Sequence, residues 1–121
     1  MKIIICGAGE VGFSLAKYLS SENMQVTVID EDAEKLNKMT NAIDVRSIVG
    51  KTYNPNILDE AAVKDADLLI AVSENDESNI LVCEMAKILF NVPNTIARIK
   101  EKELLKEKWL DLFSNKGFKI D

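Results

Sequence analysis

The stretch Lys2-Ile3-Ile4-Ile5-Cys6-Gly7-Ala8-Gly9-Glu10-Val11-Gly12 follows the initial Met1 and decides the fold. Its apolar run is too short for a helix and suits a strand buried on both faces. Gly7, Gly9 and Gly12 then have the spacing G-x-G-x-x-G, and an amphipathic helical pattern runs on to about Ser20. A glycine motif alone is weak evidence. Between a strand and a helix it has a physical meaning: the first glycine permits a tight turn, and the second clears a path to the main chain. The third lets helix and strand pack closely. Ala16 continues the small face one turn later. The N–H groups of Ala8, Glu10 and Val11 lie in this turn, and a helix N-terminus attracts anions, phosphate above all.

Working outward, short apolar runs alternate with helical segments. Further strands are expected at residues 26–29, 45–49, 68–72, 95–99 and 118–120. Asp32 caps a helix that ends near Asn41, and Pro55 opens a short one through about Ala62. A long helix covers residues 76–90, where Pro93 follows, and another covers residues 102–113. This alternation specifies an α/β, doubly wound parallel sheet, the Rossmann arrangement, with strand order 3-2-1-4-5-6. Residues 1–121 make one domain. A last strand so near the end of the sequence suggests a fragment of a longer protein, or else a final edge strand.

The bulk properties remove several function classes. Of 121 residues, 47% are apolar and 29% charged, an ordinary composition for a soluble domain. No apolar run approaches the roughly 20 residues of a membrane helix, and no cleavage site follows Met1, so a cytoplasmic location is expected. The net charge of −5 argues against nucleic acid as a partner. Cys6 and Cys83 both sit in apolar runs, which suggests reduced, packed thiols rather than a disulfide or metal site. There is no histidine, so the commonest general base and metal ligand is missing.

Asp30 lies 18 residues after Gly12, at the end of the second strand. A carboxylate there can accept from both hydroxyls of an adenosine ribose and would repel a 2′-phosphate, favouring NAD or another adenine nucleotide over NADP. The plainer alternative is a residue that leads into the next helix, with Glu31 beside it. Gly50, Lys51 and Thr52 end the third strand by the expected adenosine pocket. Ala71, Val72 and Ser73 end the fourth, where their main chain can flank ribose and phosphates; ordinary loop geometry explains them equally. In the polar run that follows, capping accounts for Asp76 and for Glu77, although Glu77 and Asn79 face the crevice. Arg98 is set among aliphatic neighbours and either faces a phosphate or pairs with a helix-borne carboxylate. The helical residues 80–90 are apolar on more than one face, which suggests a subunit interface or contact with another domain.

The runs K-I-I-I-C-G-A-G-E-V-G-F-S-L-A, V-I-D-E-D, A-D-L-L-I-A-V-S-E-N-D-E-S-N and I-A-R-I-K resemble the N-terminal lobe of RCK (KTN, TrkA-N) domains, in particular those of bacterial Trk potassium uptake. The resemblance implies a nucleotide-sensing gating subunit, not a catalyst, that binds NAD(H), ATP or ADP. It implies assembly as a homo-oligomer, a dimer or tetrameric ring, beneath a membrane-embedded potassium-translocating subunit. The location is then cytoplasmic and peripheral to the inner membrane, in a chain that carries two such units. It places phosphates at Gly7, Gly9, Gly12 and Arg98, and ribose at Asp30. Glu10 departs from relatives that carry Arg there and respond to ATP, which leans toward NAD(H). Lys51 departs from the usual Asp or Asn after Gly50. The rival reading is the cofactor lobe of an NAD-dependent dehydrogenase. Such an enzyme moves a proton with the hydride, and neither Tyr18 nor Tyr53 has a Lys four positions later. A downstream domain could still supply catalysis. A third reading is a structural module with a vestigial site.

Overall fold

The computed structural model describes residues 1–106. Its elements are β1 (Lys2–Cys6), α1 (Glu10–Ser21), β2 (Gln25–Asp30), α2 (Ala33–Ala42), β3 (Arg46–Val49), α3 (Pro55–Glu60), β4 (Leu68–Ala71), α4 (Asp76–Phe90) and β5 (Asn94–Ala97), with single 3-10 turns at Val63–Asp65 and Lys102–Leu105. The five strands form one parallel sheet in the order β3-β2-β1-β4-β5. The sixth expected strand lies outside the described residues.

Successive side chains of a strand point to opposite faces, and β1 uses both. Ile3 and Ile5 pack with Val26, Val28, Leu36 and Met39 on one side. Ile4 and Cys6 pack with Leu58, Val63, Leu69, Val82 and Cys83 on the other. Each fully buried aliphatic side chain contributes about 1.5–3 kcal/mol by leaving water, so β1 is the anchor of both layers. Burial also pushes the Cys6 thiol well above its ordinary pKa, which keeps it protonated and inert. Neither Cys6 nor Cys83 is in a disulfide.

Side-chain caps position α2, α3 and α4. Asp32 accepts from the N–H groups of Glu34 and Lys35 at 3.0 and 3.2 Å. Asn54 accepts from Asn56 N–H at 2.9 Å, with Pro55 in the first helical turn. The cap of α4 is Asn75, not Asp76: Asn75 Oδ1 accepts from Ser78 N–H at 2.8 Å. Asp76 instead accepts from the N–H groups of Lys100 and Glu101 at 2.9 and 2.8 Å, tying the segment after β5 to the start of α4. The expected helix at residues 102–113 is corrected at its start. Lys102–Leu105 is a 3-10 turn, and Lys106 is extended (φ −66°, ψ 140°). None of the turn's side chains is buried, so no packing draws them into an α-helix. The rest of that segment, Trp109 included, lies outside the described residues.

Ala62 follows α3 in the left-handed conformation, with φ 58°. There Cβ crowds the following carbonyl, a cost glycine avoids. Ala62→Gly is expected to raise stability by about 0.5–1 kcal/mol, read as a higher urea midpoint at unchanged slope.

Candidate functional site

The chain winds from β1 outward to β3, then returns through β4 to β5 on the other side. The crevice where that winding reverses, above the carboxyl ends of β1 and β4, is where parallel sheets bind ligands. A cleft of about 410 Å³ opens there. Gly7 and Gly9 form its floor, Asp30, Glu31, Lys51 and Thr52 one wall, and Val72 and Ser73 the other.

The three glycines of the turn serve different ends. Gly7 has φ +121°, and a Cβ on it would stand 2.9 Å from Ser73 N. A Cβ on Gly12 would stand 1.9 Å from the Gly7 carbonyl oxygen. The fold itself demands both. Gly9 is different: its φ of −75° suits any residue, and a Cβ there would meet nothing within 4 Å. Packing gives no reason for a glycine at this position, whereas a ligand lying against the main chain does. Gly9 also offers α1 no side-chain cap, and the first intrahelical bond runs from Phe13 N–H to Gly9 O at 2.8 Å. The N–H groups of Glu10, Val11 and Gly12 are thus left to point out of the helix end.

Asp30 is half-buried and already engaged. Its Oδ2 accepts from Ala8 N–H at 2.7 Å and its Oδ1 from Asp32 N–H at 2.8 Å. Each carboxylate oxygen keeps a further lone pair, so Asp30 can fasten the glycine turn to β2 and still accept from a ligand in the cleft. Gly50 does not line the cleft; its N–H donates to Asp30 O at 3.0 Å, which steers Lys51 and Thr52 into the wall.

On the opposite side, Asn79 is 1% exposed and its amide is fully used. Its Oδ1 accepts from Ser73 N–H and Ser73 Oγ at 2.9 and 2.7 Å. Its Nδ2 donates to Ser73 O and Arg98 O at 3.0 and 2.9 Å. Asn79 therefore shapes the crevice by clasping the loop after β4 to the end of β5. Glu77 is exposed on α4 and does not line the cleft, and Ala71 is buried, its carbonyl accepting from Arg98 N–H at 2.8 Å. The Arg98 guanidinium meets Glu74 at 3.5 Å, a carboxylate of the loop rather than of a helix. Lys100 meets the same carboxylate at 2.7 Å. The hydrogen bond from Lys100, followed by the charges of Lys100 and Arg98, holds the Glu74 carboxyl below the usual range.

Glu10 lies beside a neighbouring groove of about 370 Å³ between α1 and α2, with Phe13, Ser14 and Lys38. Gly9 and Lys35 border both cavities. Lys35, Tyr53, Glu74, Asn75 and Ser78 line the cleft although sequence reasoning did not single them out as site residues. The signal for Lys35 was its place in the first turn of a helix that starts at the cleft. Tyr53 follows directly on Lys51 and Thr52, and the Lys51 ammonium lies 5.8 Å from its ring centroid. No group of three or more metal-ligating side chains occurs among the described residues. No helix among them is long and apolar enough to cross a membrane.

Residues 3–113 match the family model described as the TrkA-N domain. The chain is 43% identical over 121 residues to the Trk system potassium uptake protein TrkA of Vibrio alginolyticus, covering 100% of this chain and 26% of that protein. It spans about a quarter of the length of the curated bacterial relatives it matches. Among solved structures, the AMP-bound Kef C-terminal domain of Shewanella denitrificans superimposes with a TM-score of 0.76 at 20% identity, over 97% of this chain and 70% of that one. The GsuK channel bound to NAD superimposes with a TM-score of 0.74 at 20% identity, over 85% and 18%. At such identities the likeness is one of fold.

Proposed function

The chain belongs to the TrkA-N domain family, and from that premise we propose that it is the nucleotide-sensing lobe of a gating subunit in a Trk-type potassium transport system. NAD(H) is the ligand favoured, with ATP or ADP as alternatives. The observation that carries the reading is Gly9, a glycine that faces open space in a backbone conformation requiring none. A pyrophosphate lying on it would receive the free N–H groups of the first turn of α1. Glu10 adds a negative charge at that turn and disfavours a third phosphate. The ribose falls to Asp30, and the adenosine end to Lys51 and Thr52. Phosphate-bearing ligands are named for two proteins of like fold, the AMP-bound Kef domain and the NAD-bound GsuK channel.

The partners follow from the relatives, which are named as potassium uptake proteins. The lobe would act from the cytoplasmic side on a membrane-embedded translocating subunit, as part of a homo-oligomer within a longer tandem chain. Leu81, Ile88 and Leu89 of α4, 48%, 64% and 55% exposed, offer apolar surface for such an assembly. The ligand's role is to bias one shape of the assembly over another through differential affinity. No hydride or proton transfer is assigned to the site.

Calorimetric titration with NADH, NAD, ATP and ADP tests this directly: NADH is expected to bind, and heat from none of the four would end the proposal. Asp30 supplies a sharper check. Loss of charged hydrogen bonds to ribose is expected to weaken NADH binding about tenfold or more in Asp30→Ala. The wild-type preference for NADH over NADPH should collapse in the same variant. Loosening of the glycine turn alone, through the freed Ala8 N–H, would weaken both cofactors alike and leave their ratio unchanged.

A further inference from the structure

The wall of the cleft on the β4 side ends in an ion cluster. Glu74 lines the cleft with its side chain 80% exposed, between two cations from beyond β5. The two contacts are unequal. Lys100 Nζ lies 2.7 Å from Oε2, the length of a charge-assisted hydrogen bond, whereas Arg98 Nη1 lies 3.5 Å from Oε1, at the outer limit of one. The main chain beneath both cations is fixed. Arg98 N–H donates to Ala71 O, Arg98 O accepts from Asn79, and Lys100 N–H donates to Asp76. Only the side chains are left to change partners, and Arg98 has the weaker attachment.

We propose that Glu74 is a resident competitor for the ligand's phosphate: it lines the cleft wall and holds Arg98 beside it, and an incoming phosphate takes Arg98 while Lys100 retains Glu74. The proposal rests on the nucleotide reading above. A phosphate brought to this wall without the exchange would lie beside the Glu74 carboxylate with no cation of its own. With the exchange, Arg98 trades one anion for another and Glu74 keeps its shorter, stronger contact. Lys100 thus acts without touching the ligand, because it decides how readily Arg98 is surrendered. Glu74 carries its negative charge at neutral pH, since both cations hold its carboxyl low.

The test is calorimetry with ADP and adenosine on the wild type, E74Q, R98Q, K100Q and the double variants E74Q/R98Q and E74Q/K100Q. E74Q is expected to bind ADP about two- to fivefold tighter, the range set by an exposed ion pair, and to bind adenosine as before. The gain should vanish in the R98Q background. K100Q should weaken ADP binding when Glu74 is present and not when it is Gln. Unchanged ADP affinity in E74Q would overturn the proposal. So would an equal gain with and without Arg98, which would make Glu74 a plain repulsive charge. A wild-type chain that binds neither ADP nor NADH would sink the nucleotide reading itself, a result distinct from both.

Discussion

Gly9→Val is expected to leave the chain folded and to abolish nucleotide binding. The two halves of that expectation have separate physical grounds. Folding survives because Gly9 adopts an extended conformation with φ −75° and its Cβ position is empty to 4 Å. The residue caps α1 only through its main chain, so exchanging glycine for a branched residue costs about 1 kcal/mol at most. Binding fails because the valine methyl groups would stand where phosphate oxygens must come within hydrogen-bond distance of the first-turn N–H groups. Calorimetry and thermal unfolding on the same sample separate the two. A variant that melts near the wild-type temperature and gives no heat with NADH is the expected outcome. If it bound NADH normally, the phosphates would have to lie elsewhere, and Gly9 would no longer mark their place.

What could be read from the sequence and what could not divides along a physical line. The strand-turn-helix at the start, the five parallel strands and the bounds of α4 follow from short-range periodicity and from proline, which act within a few residues. Their order in the sheet follows from handedness and crossover rules. Partner choice is different, because it joins residues far apart in the chain. Asp76 looked like a helix cap by position, yet its carboxylate is taken by N–H groups 24 and 25 residues away, and Asn75 caps instead. Asn79 looked like a candidate ligand contact, and its spacing gave no sign that four hydrogen bonds to Ser73 and Arg98 would use its amide. The aliphatic neighbours of Arg98 suggest either a phosphate or a helix-borne carboxylate as its partner, but the carboxylate it meets belongs to a loop 24 residues earlier. Lys35 went unnoticed because one exposed lysine on an amphipathic helix carries no local mark of a cleft. The strand ends erred by a residue or two for a related reason: β4 stops at Ala71 and β5 at Ala97 because the chain turns there to build the crevice.

Gly12 reverses the behaviour expected of Gly9. A single methyl group in Gly12→Ala would place its carbon 1.9 Å from the Gly7 carbonyl oxygen and 2.9 Å from the Gly7 carbonyl carbon. Both are main-chain atoms, so no side chain can swing aside to relieve the clash. Gly7 cannot retreat either. It is held by its N–H donating to Ile29 O at 2.9 Å, and the loop after β4 stands close behind it, with Ser73 N near its Cβ position. The remaining response is for α1 to lift away from β1, which loosens Ala16 and the partly buried Val11, Phe13 and Leu15 from their cluster with Ile3 and Ile5. Overpacking in a core costs about 1–3 kcal/mol when side chains can adjust, and here they cannot, so a loss of about 4 kcal/mol or more is expected. Against a total stability on the order of 5–15 kcal/mol, that leaves a chain that is marginally folded or unfolded at 37 °C. Chemical denaturation would show the urea midpoint falling steeply, and circular dichroism would show lost helix. A variant as stable as the wild type would mean that α1 can sit further from the sheet than these distances allow. The contrast between the two glycines, one answering to the fold and the other to a ligand, would then no longer hold.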